Sequence, residues 1–437
     1  MRGLEGGATE VVGDAIAALG TRLAGDLLRP GDPGYDEART LWNAMIDRHP
    51  ALVARCMSAA DVAEVVKFAR QHGVLLSIRG AGHNIAGNAV CEGGVTIDLS
   101  RLRGVTVDAA TRRVSVEPGA TLGDLDAATA KHGLAVPTGI NSTTGVAGLT
   151  LGGGFGWLSR SLGLTVDRLR AAEVVLASGE IVTANESEHS ELFWGLRGGG
   201  GNFGVVTRFD FEAAEVGPNL LSGLIVHPFA EASTVLDFYR RFSADASDEL
   251  TVWSVLRQAP PLPFLPEPVH GQEVVVLALC WAGDPEAGER AVAPLVEFGA
   301  PHGSHVGVQP FTAWQQAFDP LLTPGARNYW KSHNFVELAD GLLEVLIDAV
   351  GSLPTPATEV FLGQLGGAQA RVAADATAYP HRDARYVMNV HTRWDAAADD
   401  ARCIAWARKL FAAAEPFATG GVYTNFMPDD EADRVRG

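Results

Sequence analysis

Residues 77–87 read Ser-Ile-Arg-Gly-Ala-Gly-His-Asn-Ile-Ala-Gly, and the fold is decided by what this stretch is for. An apolar run, Val74, Leu75, Leu76 and Ile78, leads into it and has the character of a short buried strand. The chain then turns on Gly80 and Gly82 and carries one histidine, His83, among small residues. Glycines let backbone N–H groups point at an anion, because no Cβ blocks close approach. An imidazole held in such a loop beside a phosphate is placed for chemistry on a bound cofactor. A tight turn with a surface histidine fits the same residues equally well, so the flanking sequence has to choose.

Just upstream, Ser58-Ala-Ala-Asp61 opens the amphipathic run Val62, Val65, Val66, Phe68 and Ala69, which stops at Gly73. That is a helix with a capping serine and a glycine terminator. Further upstream, residues 8–28 have helical spacing and predict one or two short helices before the turn at 30–34. Downstream, 94–99 and 113–117 alternate as strands, and Thr121 opens another helix. The mixture predicts an α/β or α+β chain, and the second half favours α+β.

The densest glycine region is Gly145-Val-Ala-Gly148-Leu-Thr-Leu-Gly152-Gly-Gly154-Phe-Gly156-Trp157. Three consecutive glycines suit neither helix nor strand. Backbone lying against a flat or phosphorylated ligand is the expected reason, since flexible linkers lack the interspersed Leu, Phe and Trp. Residues 199–204 match G-x-G-x-x-G, but they follow a helix and precede a strand. A dinucleotide fingerprint needs the opposite order, so a Rossmann reading is set aside.

After Glu215-Val-Gly-Pro218 the texture changes. Strand-like runs at 221–226, 250–256, 273–281, 359–365 and 384–392 alternate with helical ones at 230–243, 284–298 and 338–353. Pro260-Pro-Leu-Pro-Phe-Leu-Pro266 is a rigid loop. An antiparallel sheet covered by helices on one face is expected here, with the domain boundary near residue 216.

Taken in order, Arg79-Gly-Ala-Gly-His83, Pro137-Thr138-Gly139, Gly145 through Gly156 and Gly201-Asn-Phe-Gly204-Val-Val-Thr207 resemble the berberine-bridge-enzyme-like branch of FAD-linked oxidases. That branch belongs to the vanillyl-alcohol-oxidase superfamily, with a PCMH-type FAD-binding domain. Gly366-Gly-Ala368, Tyr379-Pro-His-Arg382 and Tyr423-Thr-Asn425-Phe426 carry the resemblance from about residue 45 to the end. It implies a two-lobed FAD domain over 1–216 (core 46–216), a substrate domain over 217–410 and a segment, 411–437, returning to the FAD domain. Relatives continue past the Asp433-Arg-Val-Arg436 stretch, so the tail is expected to be shortened.

The resemblance also implies roles. His83 would be joined covalently to the flavin 8α carbon. Many relatives have a second link from a cysteine whose position is Asn141 here, so a single attachment is expected. Arg79, Gly80, Ala81, Gly82, His83 and Asn84 would surround the pyrophosphate. Pro137, Thr138, Gly139, Asn141, Thr144, Gly145, Gly148, Gly152, Gly153, Gly154, Gly156 and Trp157 would follow the adenosine and the ring. Gly204 and Val206 would continue that wall, with Tyr423 and Asn425 at its end. Substrate oxidation would pass a hydride to flavin N5 while a base takes a proton, with dioxygen as acceptor and hydrogen peroxide as product. Tyr423 is the first candidate base. The second aromatic of its motif, a base in some relatives, is Phe426, which has no proton to exchange. Asn389 and His391 share one strand face, and Gln364 lies on another strand.

The expected substrate is a small organic alcohol, sugar or secondary metabolite. A dehydrogenase using another acceptor and a flavin-binding protein without turnover are the alternatives. A net charge of −18 argues against nucleic-acid and anionic-membrane partners. Cys56, Cys91, Cys280 and Cys403 are dispersed and read as free, with no metal site and a cytoplasmic setting expected. No signal peptide or membrane span is evident, and the protein is expected to be a monomer or homodimer.

Overall fold

A computed structural model describes residues 1–431; the Asp433–Arg436 stretch and the end of the 411–437 segment lie outside the described residues. Strands β1 (Asp26–Leu28), β2 (Leu52–Arg55), β3 (Leu76–Arg79) and β4 (Val95–Asp98) form one sheet in the order β1-β2-β4-β3. β2 and β3 both run parallel to β4. The helix Ala59–His72 covers this sheet. Ser58 caps it by accepting from the Asp61 N–H, and Gly73 ends it at φ +59°. Of the one or two short helices expected before residue 30, one forms, Gly13–Arg22, and the chain then makes β1, paired antiparallel with β2.

A second sheet is antiparallel. It comprises β5 (Val105–Asp108), β6 (Arg113–Val116), β8 (Leu169–Val175), β9 (Ile181–Asn185) and β10 (Val205–Glu212), ordered β5-β6-β10-β8-β9. The short pair β7 (Leu134–Ala135) and β11 (Ala214–Glu215) lies beside it. Helices Leu122–Ala130 and Ser190–Leu196 close its core through Leu122, Leu125, Phe193 and Leu196. The two sheets touch through Val175 and Val205, which join the core under the first.

The third sheet has seven antiparallel strands: β12 (Asn219–Pro228), β13 (Leu250–Gln258), β14 (Glu273–Trp281), β15 (Gly303–Pro310), β16 (Arg327–Phe335), β17 (Glu359–Gln364) and β18 (Tyr386–Trp394). Their order is β15-β12-β14-β13-β17-β18-β16. Side chains alternate between faces. Val252, Leu256, Leu277, Val360, Leu362, Met388 and Val390 point to the back, where helices Ala232–Ala244, Pro285–Val296, Asp340–Val350 and Asp400–Ala414 cover them. The last helix runs straight through residue 410, where a boundary was expected, and its Cys403, Ala407, Leu410 and Ala414 belong to this core. The front face of the sheet turns toward the glycine-rich half, and the site lies between them.

Candidate active site

A cavity of about 1260 Å³ separates the front of the large sheet from the loops of the first half. A single ligand usually occupies ~300–1,000 Å³, so there is room for a dinucleotide and a second molecule. On one side the wall is backbone-rich. The β3–β4 loop brings Gly80, Ala81, Gly82, His83 and Asn84, followed by Gly139, Asn141, Thr144, Gly145, Gly148, Gly152 and Trp157. The run Gly198–Gly201 adds its edge, with Gly204 and Val206 from the start of β10. A Cβ built on Gly148 meets nothing within 4 Å, so this backbone is open to a ligand.

His83 sits at the junction. Its ring stacks on Trp42 at 5.2 Å between centroids. Nε2 lies 3.2 Å from Thr143 Oγ1 and Nδ1 lies 3.4 Å from Thr144 Oγ1. Thr143 spends its one hydroxyl proton on Asn141 Oδ1, at 2.7 Å. The Nε2 contact is therefore an N–H donated to Thr143, and Nδ1 keeps the lone pair. Burial brings the His83 pKa down to about 4, so the ring is neutral at physiological pH.

Several predicted cofactor residues lie behind this wall instead. Arg79 is turned away and pairs with Asp98 at 3.0 Å. The Pro137 carbonyl accepts from Thr165 at 2.7 Å, and the Thr138 hydroxyl accepts from Gln315 at 3.3 Å. The glycines at 153, 154 and 156 answer to protein, not ligand. A Cβ at Gly153 would stand 2.7 Å from the Tyr379 ring, at Gly154 2.2 Å from Thr165 Oγ1, and at Gly156 2.0 Å from the Thr138 carbonyl. Gly152 lines the cavity, yet its Cβ would fall 2.3 Å from Asn425. The glycine run lets the C-terminal motif and Tyr379 approach the backbone.

Tyr423 and Asn425 are seated in that gap. The Tyr423 hydroxyl accepts from Gly154 N at 3.2 Å and from Asn425 Nδ2 at 2.8 Å. Asn425 also donates to the Leu149 carbonyl at 3.1 Å. With two donors on its oxygen, the Tyr423 proton is free to be given to a ligand. Burial pushes its pKa up to about 12, which suits a donor better than a base.

The opposite wall is the large sheet. Asn389 and His391 from β18 line the cavity beside Glu359 and Phe361 from β17, Arg257 and Trp253 from β13 and Trp330 from β16. Gln364 does not. It accepts from Val252 N and donates to the Ser243 carbonyl on the back of the sheet, at 2.9 and 2.7 Å. Its parity matches Val360 and Leu362, so it shares their buried face.

Arg257 and Glu359 are cross-strand partners at 2.6 Å, and among the described residues they are the only Asp, Glu, Lys or Arg that line the cavity. Glu359 is held down to about 2: burial would raise it, but Arg257 and His391 more than offset that. His391 Nδ1 lies 3.2 Å from Glu359 Oε1, and Nε2 lies 3.2 Å from Asn328 Oδ1. The Asn328 amide is oriented by donating Nδ2 to the Ala326 carbonyl at 2.9 Å. Burial lowers the His391 pKa and Glu359 opposes it, with burial winning. The neutral ring gives its proton to the carboxylate, the stronger acceptor. Nε2 then faces Asn328 Oδ1 without a proton, and gains a hydrogen bond on taking one. Nearby, Asn389 Oδ1 and Trp330 Nε1 are buried with no partner among the described residues, an acceptor and a donor waiting for a ligand.

Trp42, Trp253, Arg257, Asn328, Trp330, Glu359 and Phe361 were not among the sequence candidates. β16 carries polar residues on both faces and gives no clean alternation, and Arg257 meets Glu359 only through sheet register, 102 positions apart. The residues present fit FAD: a long cavity, an open glycine backbone free of acidic side chains, and a neutral histidine with a lone pair at its edge.

Residues 50–185 match the model of an FAD binding domain. An FAD-linked oxidoreductase of Dictyostelium discoideum is 32% identical over 386 residues, covering 87% of this chain and 80% of that protein. The crystal structure of 6-hydroxy-D-nicotine oxidase from Arthrobacter nicotinovorans superposes with a TM-score of 0.83 at 25% identity, covering 95% and 91% of the two chains. The BBE-like 1 protein of Physcomitrella patens shares the fold, with a TM-score of 0.86 at 20% identity over 96% and 92%.

Proposed function

The chain belongs to the FAD-linked oxidoreductases of the vanillyl-alcohol-oxidase/PCMH family, and from that premise we propose that it oxidises a small organic substrate with FAD linked once, through His83. The observation that carries the reading is His83 itself. It is neutral, its Nε2 proton is committed to Thr143, and Nδ1 is left with a lone pair at the cavity edge. Asn141, where a second thiol link would need cysteine, instead orders Thr143.

When bound, FAD would supply the two-electron redox chemistry, with dioxygen the acceptor in this reading and hydrogen peroxide the product. The backbone of residues 80–84 and the open face at Gly148 would hold its phosphates. His391 Nε2 takes the substrate proton, Glu359 orients the ring, and Asn328 Oδ1 receives the new N–H. Tyr423 donates to the substrate oxygen or nitrogen, and Asn389 Oδ1 accepts from it. Phe426 packs edge-on to Trp330 and Phe361, at 5.5 and 5.8 Å between centroids, and keeps water from the reacting carbon.

The test is acid precipitation of the purified protein, with the pellet examined for flavin absorbance and in-gel fluorescence beside a His83→Ala variant. Yellow retained in the pellet and lost in the variant is expected. Flavin released from the wild type would remove the covalent link, and a protein without flavin would remove the reading. Oxygen consumption with stoichiometric peroxide during turnover separates the oxidase from a dehydrogenase.

A further inference from the structure

The sheet wall of the cavity is divided. Beyond the Arg257–Glu359 pair, β18 presents Asn389 and His391 beside Phe361 of β17 and Trp330 of β16, whereas β12, β13 and β14 present Leu224, Val226, Val255, Val274 and Val276. Leu224 and Val255 sit on interior strands of a seven-stranded sheet and pack on one side against Val226, Leu265, Val274 and Val276, yet both remain partly exposed where they line the cavity. The loop after β13 roofs this arm with Leu262 and Leu265. Pro260, Pro261, Pro263, Pro266 and Pro268 fix its backbone, so the roof is formed in advance of any ligand. Arg257 is the one charged group on this side among the described residues, and its guanidinium is spent on Glu359 and the Gln258 carbonyl.

We propose that this arm receives an extended hydrocarbon portion of the substrate, placing the reacting carbon across the Arg257–Glu359 pair beside Asn389 and His391. The inference rests on the oxidoreductase reading above and narrows its substrate to one with a polar reacting end and an apolar body. A carbohydrate is excluded, because its hydroxyls would lose water against valine and leucine with no partner in return.

Tertiary alcohols carry no hydrogen on the carbinol carbon and cannot be oxidised there, so they report binding alone. Calorimetric titration of the flavin-loaded enzyme with 2-methyl-2-butanol through 2-methyl-2-octanol is expected to give dissociation constants that fall roughly fourfold per added methylene. Binding should also show a negative heat-capacity change. Methyl β-cellobioside is expected not to bind. Val255→Thr and Val276→Thr, both isosteric and suited to strands, should flatten the slope, with circular dichroism and flavin content reporting their folding. Equal constants along the wild-type series, or tighter binding of the glycoside, would overturn the proposal. Acid precipitation tests the oxidoreductase reading separately. A protein that lacks flavin but keeps the slope loses the chemistry and not the arm, and one that holds flavin with a flat series loses the arm alone.

Discussion

At the scale of single residues, the site turns on which groups can exchange a proton near neutral pH. Tyr423 is pushed up to about 12 and Glu359 is held at about 2, so neither changes charge there. The His391 pKa is lowered from the ordinary histidine value of ~6.5, because burial outweighs the carboxylate beside it. A reaction that needs the neutral ring should therefore lose rate as pH falls below that value. In single-turnover flavin reduction, His391→Gln should remove this acid limb and cost about 10²–10⁴-fold in rate. Glu359→Gln deletes the charge that raises the His391 pKa, so its limb should move to lower pH. Tyr423→Phe should slow reduction with the limb in place. A limb that persists in His391→Gln would assign the proton to another group. Glu359→Gln should also destabilise the fold by about 3–5 kcal/mol, since it leaves Arg257 buried without its counter-charge.

At the scale of elements, the helices Leu122–Ala130 and Phe311–Gln315 meet through a buried polar pair. Gln315 Nε2 donates to Asp126 Oδ2 at 3.1 Å and to the Gly139 carbonyl at 2.9 Å, directly behind the cavity wall. Asp126 Oδ1 and Gln315 Oε1 have no hydrogen-bond partner among the described residues, and burial raises the Asp126 pKa to about 7. A carboxyl whose folded pKa exceeds its unfolded value binds more protons when folded. Stability should therefore fall as pH rises from about 4 to about 7, by up to about 4 kcal/mol at ~1.36 kcal/mol per pKa unit. Asp126→Asn, whose amide can donate to Gln315 Oε1, should abolish that fall and be the more stable protein at pH 8. Thermal melts at pH 4.5 and pH 8 decide it, and a variant no more stable at the higher pH would show that Asp126 is ionised without penalty. What sequence reveals also differs by element. The helix at Ala59–His72 was legible because cap, apolar stripe and glycine stop are all local. Asn389 and His391 were legible as one strand face, but the sequence assigned Gln364 no face, and the structure turns it to the back. β17 is buried on both sides, so alternation separates its faces without saying which is the front. The glycines at 152–156 pointed to a crowded backbone, and only the fold shows that Asn425, Tyr379 and Thr165 do the crowding.

At the scale of the whole molecule, the cavity lies in a seam, and the seam is itself a core. Phe155, Trp157, Leu158, Leu164 and Val166 from the first half pack with Trp253, Trp314, Phe361, Tyr379 and Tyr423 from the second. Arg160 reaches across to the carbonyls of Leu250, Leu365, Ala246 and Ser247. Arg382 returns the tie, gripping Asp167 with two parallel bonds of 2.8 and 2.9 Å, both side chains buried. Interfaces between independent domains are more polar and carry few such ties. The two halves should therefore unfold together, and calorimetry of the wild type should give one transition. Arg382→Met strands the Asp167 carboxylate and should cost about 3–5 kcal/mol, whereas adding Asp167→Asn should recover part of that loss. In both variants the transition should move and stay single. If Arg382→Met split it in two, the aromatic seam would be too weak to couple the halves, and the walls of the cavity would be held together by ion pairs instead of by a shared core.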